Sequence, residues 1–184
     1  MPLGPGGGAR YIILMEMLDP TAGRFPAALA ALAAGAALAI AFTAQFAFGL
    51  LPCELCIWQR WPLAAAGALG LLALILGPRG LFRPLCLLAA LAFLATAAIA
   101  GFHVGVEQKW WSGTASCAPP ALGAGTTLDE LRESILGQPV VRCDEPAWTL
   151  FGISMAGYNF LFSLSMGGLL IWLLRPAKHP GTAR

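Results

Sequence analysis

FPAALAALAAGAALAIAFTAQFAFGLL, residues 25–51, runs straight into PCELC, residues 52–56. The first stretch carries no charge, and its only polar side chains are Thr43 and Gln45. About 20 mostly apolar residues suffice for a helix to cross the hydrocarbon of a bilayer, so this stretch predicts a spanning helix. It is much longer than the roughly 7–15-residue apolar core of a secretory signal, and it is expected to be retained. PCELC then reads as a tight link, because a second apolar run begins at once, from Ile57 to Leu76, with Arg60 near its start.

Further along the chain two more runs of spanning length occur. The third covers Leu85 to Val106, with His103 near its end, and the fourth covers Leu150 to Leu174, with Asn159 inside it. The fold expected is therefore all-α, a four-transmembrane-helix bundle. Composition agrees: of 184 residues 58% are hydrophobic and 11% charged, against about 45–50% and about 25% in soluble domains. Mean hydropathy is +0.74. A soluble surface cannot be built from so few charges, so a water-soluble core, a coiled coil and a disordered chain are poor readings. A net charge of +2, scattered along the chain, does not suggest nucleic acid as a partner.

Direction follows from the basic residues. Arg10, Arg24, Arg79, Arg83, Arg175, Lys178 and Arg184 fall on one side, against Arg60, Lys109, Arg132 and Arg142 on the other. Only Glu16 and Asp19 among the acidic residues share the basic side. That side is expected to be cytoplasmic, with both termini inside. Residues 1–24 then form a cytoplasmic segment, 25–175 the membrane domain and 176–184 a tail. Within 1–24, MPLGPGGGAR reads as a flexible lead-in and YIILMEML (11–18) as too short to span. The outer connections are residues 52–56 and the long second loop 107–149. Trp58, Trp61, Trp110, Trp111 and Trp148 fall near the outer boundary, where amphipathic rings prefer to sit. In the long loop TTLDELRESILG reads as a short amphipathic helix, with Thr127 and Glu130 as a capping box.

This direction places Cys53, Cys56, Cys117 and Cys143 outside, where disulfides are permitted. Cys86, at the inner end of the third span, reads as a small buried hydrophobe. Two outer pairs suggest two staples or a redox relay. A staple across the long loop would stabilise it by about 2–4 kcal/mol. The CxxC closes too short a loop to gain much that way, and it is a familiar redox device because one thiol can expel the other from a mixed disulfide. Zinc usually takes two close pairs, whereas Cys117 and Cys143 are far apart, so no metal is expected. Arg60 lies four residues after Cys56, on the same helix face. A cation and a helix N-terminus both favour a thiolate, which makes Cys56 the candidate for a persistent one. Pro62 fits a first helical turn. His103 and Glu107, also four apart, read either as a polar pair facing water or as a proton and hydrogen-bond source for something bound at the outer boundary.

PCELCIWQRWP (52–62), GFHVGVEQKWWSG (101–113), Cys117, Cys143 and WTLFGISMAGYN (148–159) together resemble the DsbB family of disulfide-forming membrane proteins, over roughly residues 25–175. The resemblance implies a bacterial inner-membrane enzyme with its site on the periplasmic side. Such an enzyme reoxidises a DsbA-like thioredoxin-fold protein and passes the electrons to a membrane quinone, ubiquinone or menaquinone. It implies that Cys117 meets the partner, that Cys143 exchanges with Cys53, and that Cys56 faces the quinone with Arg60 and His103 nearby. Glu107 belongs to a version of the motif found in part of the family. Trp58 and Gln59 stand where Tyr or Glu sometimes precede the arginine. Two other readings are kept. One is a vitamin-K-epoxide-reductase-like oxidoreductase, in which the split pair would come before the CxxC. The other is a non-enzymatic membrane scaffold stapled through its loop.

Overall fold

A computed structural model describes residues 24–76, 81–114, 117, 127 and 141–175. Four helices in it are long and apolar enough to cross a membrane: α1 (Phe25–Ala47), α2 (Glu54–Leu76), α3 (Phe82–Glu107) and α4 (Met155–Leu173). A two-stranded antiparallel ladder, β1 (Thr149–Leu150) and β2 (Ile153–Ser154), precedes α4. The terminal segments 1–23 and 176–184 and the proposed loop helix lie outside the described residues, apart from Thr127.

The helices differ from the expected spans mainly at the end that carries the cysteines, and α3 also begins at Phe82, three residues before the expected Leu85. α1 stops at Ala47, because Gly49 takes a left-handed φ of +67° that ends a helix readily. α2 begins at Glu54 rather than Ile57. Cys53 is its cap: the Cys53 carbonyl accepts from Ile57 N at 3.2 Å and its sulfur accepts from Cys56 N at 3.3 Å. Pro62 consequently lies well inside the helix instead of in its first turn, where it has no N–H to return to the preceding turn. α4 begins five residues later than expected. Residues 149–154 form the ladder instead, turning through Phe151 (φ 50°) and Gly152 (φ 78°), a two-residue turn of the I′ kind.

Inside the bundle the contact surfaces are built from small side chains. Ala27, Ala30 and Ala34 of α1 and Ala89, Ala90, Ala97 and Ala100 of α3 are buried, at spacings that keep each set on one helix face. Small residues let helix backbones approach where no hydrophobic effect drives them together. The outside is apolar too, with Leu32, Ile40, Ile75 and Leu91 all exposed, as suits a lipid-facing surface. Cys86 is buried beside Ala27 and Ala73, the small hydrophobe expected. α2 packs on α1 and α3, and α3 on α4, whereas α1 and α4 barely meet. An open seam therefore runs between α1 and α4.

Gly70 shows how close the approach is. A Cβ there would lie 2.8 Å from Ala31 N and 2.9 Å from Ala27 O, backbone atoms that cannot rotate aside. Gly70→Leu is expected to separate α1 from α2 and to destabilise the bundle by about 1–3 kcal/mol, the usual range for overpacking. Thermal unfolding in detergent measures this, and an unchanged midpoint would contradict the packing described.

Two further glycines of α3, Gly101 and Gly105, each lie against an aromatic ring of the same chain. Gly101 faces the Phe160 ring, and a Cβ on Gly105 would fall 1.9 Å from the Trp111 ring. The chain reaches that position by closing α3 with two bonds, Lys109 N to Val106 O and Trp110 N to Gly105 O, with Lys109 at φ 60°. This is the Schellman pattern. It turns the chain back so that Trp111 lies over the last turns of α3 and donates to Phe102 O at 3.0 Å.

Candidate functional site

The C-terminal end of α3 and the N-terminal ends of α2 and α4 meet at one end of the bundle, and Cys53, Cys56, Cys117 and Cys143 meet there with them. Cys117 and Cys143 form a disulfide, while Cys53 and Cys56 are free thiols. Cys53, Cys117 and Cys143 are buried together with Leu55 and Val106, and Cys56 packs against that cluster. Cys53 Sγ and Cys56 Sγ are 3.1 Å apart.

The segment carrying Cys143 is held down by charge. Asp144 pairs with Lys109, at the end of α3, and with Arg142 at 2.7 Å. Hydrogen bonds from Arg142 and then Lys109 hold the Asp144 carboxyl well below the usual carboxylate range. On the other side Thr114 Oγ1 donates to Glu54 Oε2 at 2.6 Å and lies 3.2 Å from Cys117 Sγ. Thr114 thereby ties the Cys117 region to the first turn of α2.

His103 sits at the junction of the two cysteine pairs. Its Nε2 is 3.6 Å from Cys53 Sγ and 3.2 Å from the Cys143 carbonyl oxygen. Glu107 Oε1 lies 3.8 Å from the same nitrogen, and the Ser154 hydroxyl donates to the Glu107 carboxylate. Both side chains are buried, so this is not a pair facing water. Ser154 in turn caps α4, accepting from Gly157 N at 3.1 Å. The short ladder before α4 thus places the α4 cap against Glu107.

Donors converge on Cys53 rather than on Cys56. The hydrogen bond with the Cys56 thiol is the strongest influence drawing the Cys53 thiol well below its ordinary value; burial opposes it, and His103 reinforces it. The cap position at the N-terminus of α2 acts in the same direction. In this dithiol form the better-supported thiolate is Cys53, which differs from the expectation built on Arg60. Arg60 instead reaches across to α1, where Nη1 donates to Gln45 Oε1 at 2.6 Å and the guanidinium lies 5.0 Å from the Phe42 ring centre.

A cavity of about 520 Å³ opens in the α1–α4 seam, within the roughly 300–1,000 Å³ usual for small-molecule sites. Its body is apolar, formed by residues such as Ala37, Ile40, Ala41 and Phe162. The end beside the cysteine cluster carries Cys53, Cys56, Gln59, Arg60, His103 and Glu107. A flat apolar molecule with polar edge oxygens fits this distribution: the cavity supplies an aliphatic wall, a cationic donor and a thiol at one end. For a metal, Cys53, Cys56 and His103 bring ligand-type atoms within 4.8 Å of one another. The two sulfurs, however, lie closer than the about 3.7 Å edge of a tetrahedron with about 2.3 Å zinc–sulfur bonds. Their spacing is that of a dithiol poised to close on itself.

Every cysteine, cation and carboxylate singled out from the sequence for this site lines or adjoins the cavity. The sequence reading passed over the amides. Gln59, Asn159 and Gln45 each bond to a partner on another helix or to a predicted site residue. Their signal was present, since a polar side chain inside an apolar span is a functional candidate by default.

The model of the family described as disulfide bond formation protein DsbB matches residues 23–173. An uncharacterized protein of Rickettsia prowazekii is 30% identical over 138 residues, covering 74% of this chain and 77% of that protein. Disulfide bond formation protein B of Marinobacter nauticus is 32% identical over 148 residues, covering 75% and 84% of the two chains. Disulfide bond formation protein B 2 of Pseudomonas syringae pv. syringae is 35% identical over 150 residues, covering 75% and 80%. No solved structure matches the chain.

Proposed function

The chain belongs to the DsbB family of disulfide bond formation proteins, and on that footing we propose that it oxidises a DsbA-like periplasmic dithiol protein and delivers the electrons to a membrane quinone. The observation that carries this reading is the single buried cluster holding Cys53, Cys117 and Cys143 with Cys56 at its edge, beside an apolar cavity that ends in Arg60. A staple alone would not require a free CxxC within reach of the loop disulfide.

The exchange steps proposed run through the sulfurs that the buried cluster brings together. A thiolate of the partner attacks Cys117 Sγ, forming a mixed disulfide and releasing Cys143 as a thiolate. Cys117 keeps 5% of its surface exposed and Cys143 none, which favours entry at Cys117. With the CxxC oxidised, the Cys143 thiolate attacks Cys53 Sγ, so that a Cys53–Cys143 bond forms and Cys56 leaves as a thiolate. The partner's second thiolate then attacks its own sulfur in the mixed disulfide; the partner departs oxidised and Cys117 is left reduced. Cys117 next attacks Cys143, which re-forms the loop disulfide and returns Cys53 as a thiolate. One pair of electrons has then moved from the partner to Cys53 and Cys56. His103 Nε2 lies where it can donate to Cys53 as charge develops there.

Arg60, Cys56 and His103 would hold a quinone at the outer end of the cavity. When bound, a quinone supplies a two-electron, two-proton acceptor, which a dithiol relay needs to be recharged. The basic residues predicted inside and the cysteine cluster at the opposite end support a periplasmic site.

The test is purified protein mixed with reduced DsbA-like partner and ubiquinone or menaquinone, with quinone reduction followed by absorbance. Turnover that needs both partner and quinone is expected. Absence of turnover with either quinone would overturn the proposal.

A further inference from the structure

Gln59, Asn159 and Ser163 take no part in the exchange steps above, yet they form one chain leading to His103. Ser163 Oγ donates to Asn159 Oδ1 at 3.1 Å, and Asn159 Nδ2 donates to Gln59 Oε1 at 2.7 Å. Gln59 Nε2 then meets His103 Nδ1 at 3.0 Å. Gln59 and Ser163 are buried, in spans where an unpaired amide would be costly.

The direction of the chain has a chemical consequence. An amide has one end that only donates and one that only accepts. With its oxygen taken by Asn159, Gln59 presents N–H to His103. A ring nitrogen that receives an N–H cannot carry a proton of its own, so Nδ1 is the bare nitrogen and the imidazole proton sits on Nε2. That nitrogen faces acceptors only: the Cys143 carbonyl, Cys53 Sγ and the Glu107 carboxylate. Both sides of the ring call for the same tautomer.

We propose that Gln59 and Asn159 are positioning residues that hold His103 neutral with its single proton on Nε2, aimed at the junction of Cys53 and Cys143. The role assigned to that proton rests on the exchange reading above; the tautomer does not. A proton fixed there serves each sulfur step at Cys53 without rotation of the ring. The bundle supplies this from two helices besides the one that carries His103: Gln59 comes from α2, while Asn159 and Ser163 come from α4.

The tautomer is read directly by nitrogen-15 NMR of histidine-labelled protein in detergent, in the dithiol form. The chain has two histidines, His103 and His179, so His179→Gln leaves one signal. In that background Nε2 should be split by an attached proton and Nδ1 should not. Gln59→Glu turns a carboxylate toward Nδ1 and should move the Nδ1-protonated fraction from near zero to the majority. Asn159→Ala frees the Gln59 amide to turn over and should give an intermediate fraction. A wild-type ring protonated on Nδ1, either as the other tautomer or as the imidazolium, overturns the proposal. So does a ring whose nitrogen signals are the same in all three proteins. If a variant fails to fold, the wild-type spectrum still decides. A protein with the expected ring and no quinone turnover would count against the exchange reading alone.

Discussion

Replacing Cys56 by serine is expected to reduce quinone reduction to the uncatalysed level while leaving capture of the partner intact. Cys56 is the only thiol of the relay that lines the cavity without belonging to the buried cysteine core. It is also the thiol that must leave when Cys143 attacks Cys53. A hydroxyl cannot form the disulfide that stores the electron pair, nor leave as a stable anion, because exchange depends on the thiolate and on the acidity of the leaving thiol. No second route reaches the cavity, since Cys53 without Cys56 has no disulfide with which to accept the electron pair from Cys143. The loss should therefore be complete rather than graded, as happens when one member of a unit is removed. The assay with DsbA-like partner and quinone reads it directly. Gel analysis should show the mixed disulfide at Cys117 still forming, with Cys53 and Cys143 both left as thiols, because without a Cys53–Cys56 bond Cys143 has no disulfide to attack. Turnover at the wild-type rate in Cys56→Ser would remove the CxxC from the mechanism and favour the scaffold reading.

Cys117→Ser and Cys143→Ser should have opposite outcomes in a trapping experiment despite equal damage to the loop. Either change removes the same disulfide, which closes a loop with a sequence separation of 26, so each should cost about 2–4 kcal/mol of stability. A purely structural bond would make the two variants indistinguishable. The exchange reading separates them. The trap uses a CxxC oxidised by quinone and a partner that lacks its second cysteine. In Cys143→Ser, Cys117 attacks Cys53 Sγ and the partner's thiolate then attacks Cys117. The electron pair passes to Cys53 and Cys56, and the mixed disulfide at Cys117 should accumulate on a non-reducing gel. Cys117→Ser has lost the sulfur that is attacked, and no complex should form. Trapping through Cys143 in the Cys117→Ser protein would reverse the assignment of entry and relay cysteine. Equal thermal shifts with unequal trapping would separate the chemical role from the mechanical one.

The membrane character and the four spans were readable along the chain, and so was the gathering of Cys53, Cys56, Cys117 and Cys143 about the start of the second span and in the long loop. Each depends on a sum over neighbouring residues or on a count. Hydropathy over about 20 residues identifies a span because the bilayer has one thickness. The four-residue step from Cys56 to Arg60, like that from His103 to Glu107, identifies a shared helix face because a helical turn has one length. Element ends were less legible. Cys53 begins α2 by capping it with sulfur, and residues 149–154 pair as a ladder, and neither leaves a trace in average hydropathy.

What no local rule contains is which polar side chain meets which across helices. Arg60 turns to Gln45 on α1, 15 residues earlier, and Asn159 meets Gln59 across 100 residues. His103 reaches Cys53 and the Cys143 carbonyl across separations of 50 and 40 residues. These pairings depend on the rotation and depth of each helix against its neighbours, which small-residue contacts such as Gly70 against Ala27 and Ala31 determine. Local spacing assigned the thiolate to Cys56 through one cation. Packing gave Cys53 the helix cap, the neighbouring thiol and the imidazole, because inside an apolar bundle the nearest donors, wherever they fall in the chain, set where a charge can rest.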